Sequence, residues 1–413
     1  MYADIITIGD ELLIGQTVNT NASWIGKILS INGIDVVRSS TISDTKNEII
    51  SVLDDALKRS DLIILTGGLG PTKDDITKET LCEFFDTELE LKQDVLERIE
   101  EYFKNKGREI LPSNIQQAEL PKDCVVLDNF LGTASGMWFE KNGKVIVSIP
   151  GVPYEMKALM SNEIMPRVKA FFGVSGMYHQ TLMTQGIGES WLADKIKDWE
   201  NRIYKDGLSL AYLPSPGIVK LRLTAKKGAG QAEVIKNYFS ELEKELPQYV
   251  YGMNGETIFK VVGELLKKRH KTLGTVESCT AGGLANAFTF EPGASDFYQG
   301  SFITYSNALK ENLVGVSSET LKKHGAVSEQ TVIEMAEGGR KHLNTDFCIS
   351  ISGVAGPDGG TEEKPVGTVW VAVASEEKTI TKLFKLGKNR ERNMEIAALS
   401  AANLLRKFLI DLV

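Results

Sequence analysis

What this chain has little of narrows it first. It holds four cysteines, at positions 82, 124, 279 and 348, and none lies in a CxxC pair. Neither a disulfide framework nor a structural zinc site is therefore expected, and the thiols read as buried. No apolar run approaches the roughly 18 residues that a membrane span needs. The start, MYADIITIGDELL, enters a strand pattern at once. It shows no basic segment followed by a small-residue cleavage site, so no secretory signal is read and the expected location is cytoplasmic. Positive charge is short too: the net charge is −8, which is not the electrostatic footprint of a nucleic-acid binder.

What is present is an ordinary globular composition, 42% hydrophobic and 25% charged over 413 residues. That length predicts two or three domains. Apolar runs at 3–9, 34–40 and 62–65 alternate with helical patterns at 20–29 and 46–59, which predicts a parallel βαβ sheet. The pattern continues through VIVSIPGVPYEM, so a first α/β domain is expected at 1–172. Between 177 and 252 the signal becomes a small α+β module, with a helix from Glu189 to about Ile203, strands near 208–213 and 218–225, and a helix at 231–245. Its PSPG turn and KKGAGQ connector carry no evident chemistry, and a spacer or dimerisation role is expected. From 254 to 413 strand and helix alternate again. There GTVWVAVAS and TITKLFKL follow each other without a helix, predicting an antiparallel edge before a final helix from about Arg390 to Leu412.

Ligands in open α/β sheets bind at the carboxyl ends of strands. The first and third runs lead into GDELLIG and TGGLGPTKDD, so both turns should line one crevice. Gly67, Gly68 and Gly70 let backbone N–H groups approach a phosphate, and Asp74 and Asp75 precede a helix beginning near Ile76. Asp10 and Glu11 add two more acidic groups. Four carboxylates around phosphates imply a divalent cation. Read only locally, the same glycines turn the chain and Asp74 or Asp75 caps a helix.

In the third region, TVESCTAGGLA places Ser278 and Cys279 side by side at a strand end. Successive residues point to opposite sides, so both cannot face one pocket, and Ser278 is taken as the nucleophile with Cys279 a packed neighbour. A serine needs a base, and the domain's histidines, His270, His324 and His342, stand in no motif-like setting. Tyr305 and Lys310, in ITYSNALK, are the better candidates, because burial can lower a lysine pKa enough to replace histidine. Glu277 is the expected partner of Lys310 or of a polar substrate group. The loop SISGVAGPDGGTEEKPVGTV is too long for a turn; Ser352, Gly353, Gly356 and a basic residue, Arg390 or Arg392, are expected to hold a phosphate.

GDELLIGQTVNTNASWIGKIL, TGGLGPTKDDIT and IPGVPYEM resemble the molybdopterin-binding fold as it occurs at the N-terminus of the CinA (competence/damage-inducible protein A) family. ESCTAGG, YSNALK and SGVAGPDGG are similar to the family's C-terminal domain. The resemblance implies a molybdopterin-binding-like domain, a KH-like module and a C-terminal α/β/α domain with a mixed sheet. For the first domain it implies a metal-dependent ADP-ribose pyrophosphatase, with Asp10, Asp74 and Asp75 on Mg²⁺, Mn²⁺, Co²⁺ or Ni²⁺, and Gly67, Gly68, Gly70 and Lys73 on the phosphates. Leu69 and the Lys73-Asp74 pair depart from the cofactor-synthesis enzymes of the same fold. The KH-like module lacks a GxxG loop, so nucleic-acid binding is not carried over. For the last domain the resemblance implies nicotinamide mononucleotide deamidation without a cofactor: Ser278 attacks, Lys310 and Tyr305 transfer protons, and Ser352 and Arg392 bind the nucleotide. It also implies a homodimer. The alternatives are a non-catalytic nucleotide-binding protein linked to competence or DNA damage, and molybdopterin handling by the first domain.

Overall fold

The structure, a computed structural model, describes residues 1–411 apart from 73, 175–177 and 226–227. Two compact units result, one of Met1–Tyr178, the other of His179–Ala225 and the chain from Gly230 onward.

In the first unit, β1 (Tyr2–Ile8), β2 (Asp35–Ile42) and β3 (Leu62–Thr66) occupy the three apolar runs, and β1 pairs parallel with both others. With β4 (Val125–Leu127), β5 (Gly136–Lys141) and β6 (Lys144–Ile149) they form a six-stranded sheet in the order β2-β1-β3-β6-β5-β4. Neighbouring residues of β1 serve different cores: Ile5 packs with Ile25 and Ile64, while Ile6 packs with Ile49 and Leu65. A sheet covered on both faces needs such unbroken apolar strands. The parallel expectation fails at one edge, because β5 runs antiparallel to β6. The reversal sits at Asn142 and Gly143, with φ of 55° and 74°. A two-residue hairpin turn of this hand requires positive φ at both positions, which Asn-Gly tolerates best.

The second unit carries two sheets. β7 (Tyr178–Gln185), β8 (Leu208–Ser215), β9 (Ile218–Ala225) and β10 (Val250–Met253) lie in the order β8-β9-β7-β10. The helix expected from Glu189 is two helices, Glu189–Lys195 and Lys197–Lys205, separated at Ile196. The second sheet has β11 (Leu273–Glu277), β12 (Tyr298–Ile303), β13 (Phe347–Gly353), β14 (Thr368–Ala374) and β15 (Thr379–Lys385) in the order β12-β11-β13-β14-β15. The first three strands are parallel and β14 and β15 antiparallel, giving the mixed sheet that was expected. Met183 and Tyr251 of the small module share a hydrophobic cluster with Ile258, Leu273 and Leu405, so module and C-terminal domain have a common core. The last helix runs Arg390–Leu409, and Leu412 lies outside the described residues. No helix among the described residues is long and apolar enough to cross a membrane.

Candidate active sites

β11 ends at Glu277, and the chain turns through Ser278–Gly282 into the helix α1 (Gly283–Thr289). The turn is made possible by left-handed backbone at Ala281 (φ 50°) and Gly282 (φ 94°). Glu277, fully buried, holds it: its carboxylate accepts from the backbone N–H groups of Gly282 at 3.1 Å, Leu284 at 3.0 Å and Ala285 at 2.8 Å. A buried carboxylate at a helix N-terminus satisfies donors that the helix itself cannot. Glu277 is therefore not the partner of Lys310 that the sequence suggested; its charge is used by the turn.

Lys310 lies on α2 (Asn307–Val314), which Ser306 caps by accepting from Leu309 N–H at 3.3 Å. Its side chain is 1% exposed. Nζ donates to the Thr304 carbonyl at 2.7 Å and to Ser278 Oγ at 3.1 Å, with the Tyr305 carbonyl at 3.5 Å. No carboxylate pairs with it among the described residues, and burial lowers its pKa below the usual lysine value. Tyr305 thus reaches Lys310 through its backbone; its side chain is 60% exposed and its hydroxyl makes no hydrogen bond among the described residues. Ser278 is 8% exposed. Beside it, the backbone N–H of Thr280 meets no acceptor among the described residues, and that of Cys279 faces only its own thiol sulfur, an arrangement suited to a developing oxyanion. Cys279 packs in the core, where burial pushes its thiol up to about 12.

The glycine-rich loop differs in detail from expectation. Ser352 is 1% exposed and donates to the Ala326 carbonyl at 2.7 Å, so its hydroxyl is engaged inside the fold. Gly353 closes β13 against Val369, and a Cβ there would crowd the Thr368 carbonyl. Gly356, at φ 94°, presents its carbonyl to Arg390 Nη1 at 2.8 Å. Of the two arginines, Arg390 therefore touches the loop, while the Arg392 side chain is exposed and its backbone N–H bonds the Asn389 cap. Asn393, which no motif singled out, ties the loop down by donating to the Ala355 and Gly387 carbonyls, both at 2.9 Å.

In the first unit, both expected turns line a cavity of about 400 Å³. Gly67 and Gly68 have φ of 118° and 65°; a Cβ on Gly68 would collide with Thr77 Oγ1 and one on Gly67 with the Ile8 carbonyl. The N–H groups of Gly68, Leu69 and Gly70 meet no acceptor among the described residues. Three such donors form a cradle for an anion. Lys73 lies outside the described residues. The expected metal ligands are not gathered. Asp10 is exposed on a single helical turn, Asp10–Leu13, Asp75 accepts from Thr72 N–H at 3.0 Å, and Asp74 is exposed at the rim. Among the described residues no three His, Cys, Asp or Glu side chains are grouped to hold a metal.

The carboxylate that sequence reading missed is Asp44, directly beyond β2 and on the cavity wall. Its pKa is raised, first by burial and then by Asp10, Glu11 and Asp75, against a hydrogen bond from the Asp10 backbone N–H. The rule that pointed to the turns after β1 and β3 applies equally to the turn after β2. This concentration of acidic groups fits a hard divalent cation in charge and donor type, without a preformed ligand set.

Known proteins resemble the chain along its whole length. A family described as "Probable molybdopterin binding domain" matches residues 4–170, "Damage-inducible protein CinA KH domain" matches 179–252, and "CinA C-terminal domain" matches 255–409. A CinA-like protein of Cytophaga hutchinsonii is 47% identical over 413 residues, covering 98% of each chain. A CinA-like protein of Flavobacterium psychrophilum is 41% identical over 416 residues, again with 98% of each covered. A crystal structure of a CinA superfamily protein from Klebsiella pneumoniae is 35% identical, with a TM-score of 0.37, covering 37% of this chain and 96% of that one. With its three segments in this order and such identity from end to end, the chain belongs to the CinA family.

Proposed function

We propose that the C-terminal domain is a serine amidohydrolase that converts nicotinamide mononucleotide to nicotinate mononucleotide and ammonia. The observation that carries this reading is the buried Lys310, within hydrogen-bonding distance of Ser278 Oγ and without an acidic partner among the described residues. In its neutral form Lys310 accepts the Ser278 proton as Oγ attacks the carboxamide carbon. The oxyanion develops beside the Cys279 and Thr280 N–H groups. Lys310 then returns the proton to the departing nitrogen, ammonia leaves, and a water, deprotonated by the same amine, releases the nicotinate from Ser278. The Thr304 carbonyl at 2.7 Å steadies the ammonium that forms in between. Arg390, Arg392 and the glycine-rich loop meet the phosphate. Ammonia release from nicotinamide mononucleotide by the purified chain tests the reading; its absence would sink it.

For the first domain we propose metal-dependent cleavage of the pyrophosphate of ADP-ribose, supported by three unengaged loop N–H groups facing an acidic cavity. Asp44, Glu11, Asp74 and Asp75 would hold the divalent cation, which supplies charge neutralisation and an acidified water. The loop amides bind and orient the phosphates. Both substrates are breakdown products of one pyridine dinucleotide, and the described cysteines are all free thiols. With this reading go a cytoplasmic location and a homodimer, as the family resemblance implies, and small nucleotides as partners in place of membrane or nucleic acid. Molybdopterin binding by the first domain is the competing reading, favoured by the description of the family that matches residues 4–170. A pterin titration against residues 1–172 separates the two.

A further inference from the structure

A third cavity, of about 340 Å³, lies within the second unit, where the end of β7 meets β15 and the last helix. Its construction begins at Arg406, which is 4% exposed and has no carboxylate partner among the described residues. The guanidinium donates to the Pro247 carbonyl at 3.2 Å and the Gln248 carbonyl at 3.2 Å, and its Nε donates to Asn403 Oδ1 at 2.8 Å. A guanidinium only donates, so this bond sets the sense of the Asn403 amide. Asn403 Nδ2 must donate in turn, and it does so to Gln185 Oε1. The relay ends at Gln185 Nε2, a donor on a residue that is 2% exposed and lines the cavity, and it meets no acceptor among the described residues.

Two lysines complete the wall. Lys382 and Lys407 both line the cavity, and neither has a carboxylate partner among the described residues. Each stands near a ring: Lys382 Nζ lies 5.5 Å from the Phe384 centroid and Lys407 Nζ 5.9 Å from that of Tyr249. Burial, with repulsion from Lys382 and Arg406, brings the Lys407 pKa down to about 8. Among the described residues no Asp or Glu lines the cavity. In a chain of net charge −8, two uncompensated lysines close to a buried arginine, with the Gln185 amide open to the cavity, make a field that selects an anion.

We propose that this cavity binds the phosphate end of a nucleotide-sized small molecule, with Lys382 and Lys407 on the phosphate, Gln185 Nε2 donating to it, and Phe384 and Leu404 against its apolar part. The volume falls in the range of small-ligand sites. Because Gln185 belongs to the small module and the lysines to the C-terminal domain, the ligand is held by both.

Site-resolved lysine labelling tests this on the full chain. Reductive methylation followed by peptide mass spectrometry reads Lys382 and Lys407 separately, with inorganic phosphate and AMP as probes. Both lysines are expected to be protected at least tenfold by AMP, at concentrations at least tenfold below those at which inorganic phosphate protects. Gln185→Glu supplies the missing carboxylate; it is expected to abolish the protection while raising the melting temperature, a pairing that a purely structural Gln185 would not produce. Absence of protection by either probe would overturn the proposal. So would equal potency of the two probes, protection that appears only with a single-stranded oligonucleotide, or protection unchanged in Gln185→Glu.

Discussion

Lys310 Nζ lies 3.1 Å from Ser278 Oγ, across a sequence separation of 32 residues and inside the fold. An ammonium taken out of water without a counter-ion is destabilising, so its retention beside a hydroxyl points to chemistry and not to stability. In the proposed reaction the lysine takes the part a histidine would otherwise play, and the Glu277 carboxylate that could have neutralised it is turned toward α1.

Removing the amine separates these roles. Lys310→Met is expected to lower kcat for ammonia release by about 10²–10⁴-fold, while thermal denaturation shows stability unchanged or increased. Lys310→Arg is expected not to restore activity, because a guanidinium stays protonated. Ser278→Ala should abolish ammonia release and leave ADP-ribose cleavage intact.

The pH dependence has a definite sign. Burial lowers the Lys310 pKa below its usual 10.5, so between the lowered value and 10.5 the unfolded chain holds more protons at this residue than the folded one. The destabilising contribution is absent above 10.5, grows as pH falls through that window, and is complete below the lowered pKa. The fraction of neutral base runs the same way. kcat/KM for nicotinamide mononucleotide is therefore expected to rise with pH to a plateau reached below the ordinary lysine range. A pH–rate profile with no alkaline-rising limb would contradict the assignment.

Glu277→Ala leaves three helix-start N–H groups without their acceptor. Hydrogen bonds to a charged group are worth about 1.5–3 kcal/mol each, and truncation also leaves donors unsatisfied. A loss of about 3 kcal/mol or more is expected in chemical denaturation, and ammonia release should fall because Ser278 rides on the same turn. Glu277→Gln, which can still accept, should recover part of both.

In the first unit, Gly68→Ala forces a side chain into left-handed backbone and onto Thr77 Oγ1. Displacing the loop by about 1 Å is enough to cost on the order of 10²-fold in rate. ADP-ribose cleavage is expected to drop by that amount with deamidation unchanged, measured on the same preparation.

Chelation makes the complementary cut. Stripping divalent cations is expected to end ADP-ribose cleavage and to spare ammonia release. Asp44→Asn should raise the metal concentration needed for half-maximal cleavage. Equal metal requirement in the variant and the parent would remove Asp44 from the site.

Much of the fold was legible because its signals are local. The runs that became β1, β2 and β3 are unbroken apolar segments, and the helix Glu329–Leu343 starts directly after Ser328, a residue type that favours helix starts, whose hydroxyl accepts from Thr331 N–H at 3.3 Å. The hairpin at Asn142-Gly143 is equally local, but two residues of turn signal weigh little against a strand-helix alternation that runs through them. Ser352, Glu277 and Asp44 are different. A serine in a glycine-rich loop, a glutamate before a serine and an aspartate after a strand carry no local mark of what they will bond. Ser352 finds the Ala326 carbonyl only because β13 passes that loop, and Asp44 meets Glu11 and Asp75 only because three separate turns end on one edge of the sheet.

From its residues alone this chain specifies two α/β domains and a small module between them in sequence, the loops proposed to carry its chemistry, and a serine and a lysine as the pair to watch. Periodicity, turn residues and helix caps are written within a few residues of where they act. Which carboxylate is free, which arginine touches the glycine loop and whether a lysine is buried beside its serine depend on chain segments far apart in sequence. Those answers appear only when packing has brought the segments together, because desolvation and hydrogen-bond pairing belong to the assembled surroundings of a group and not to the group itself.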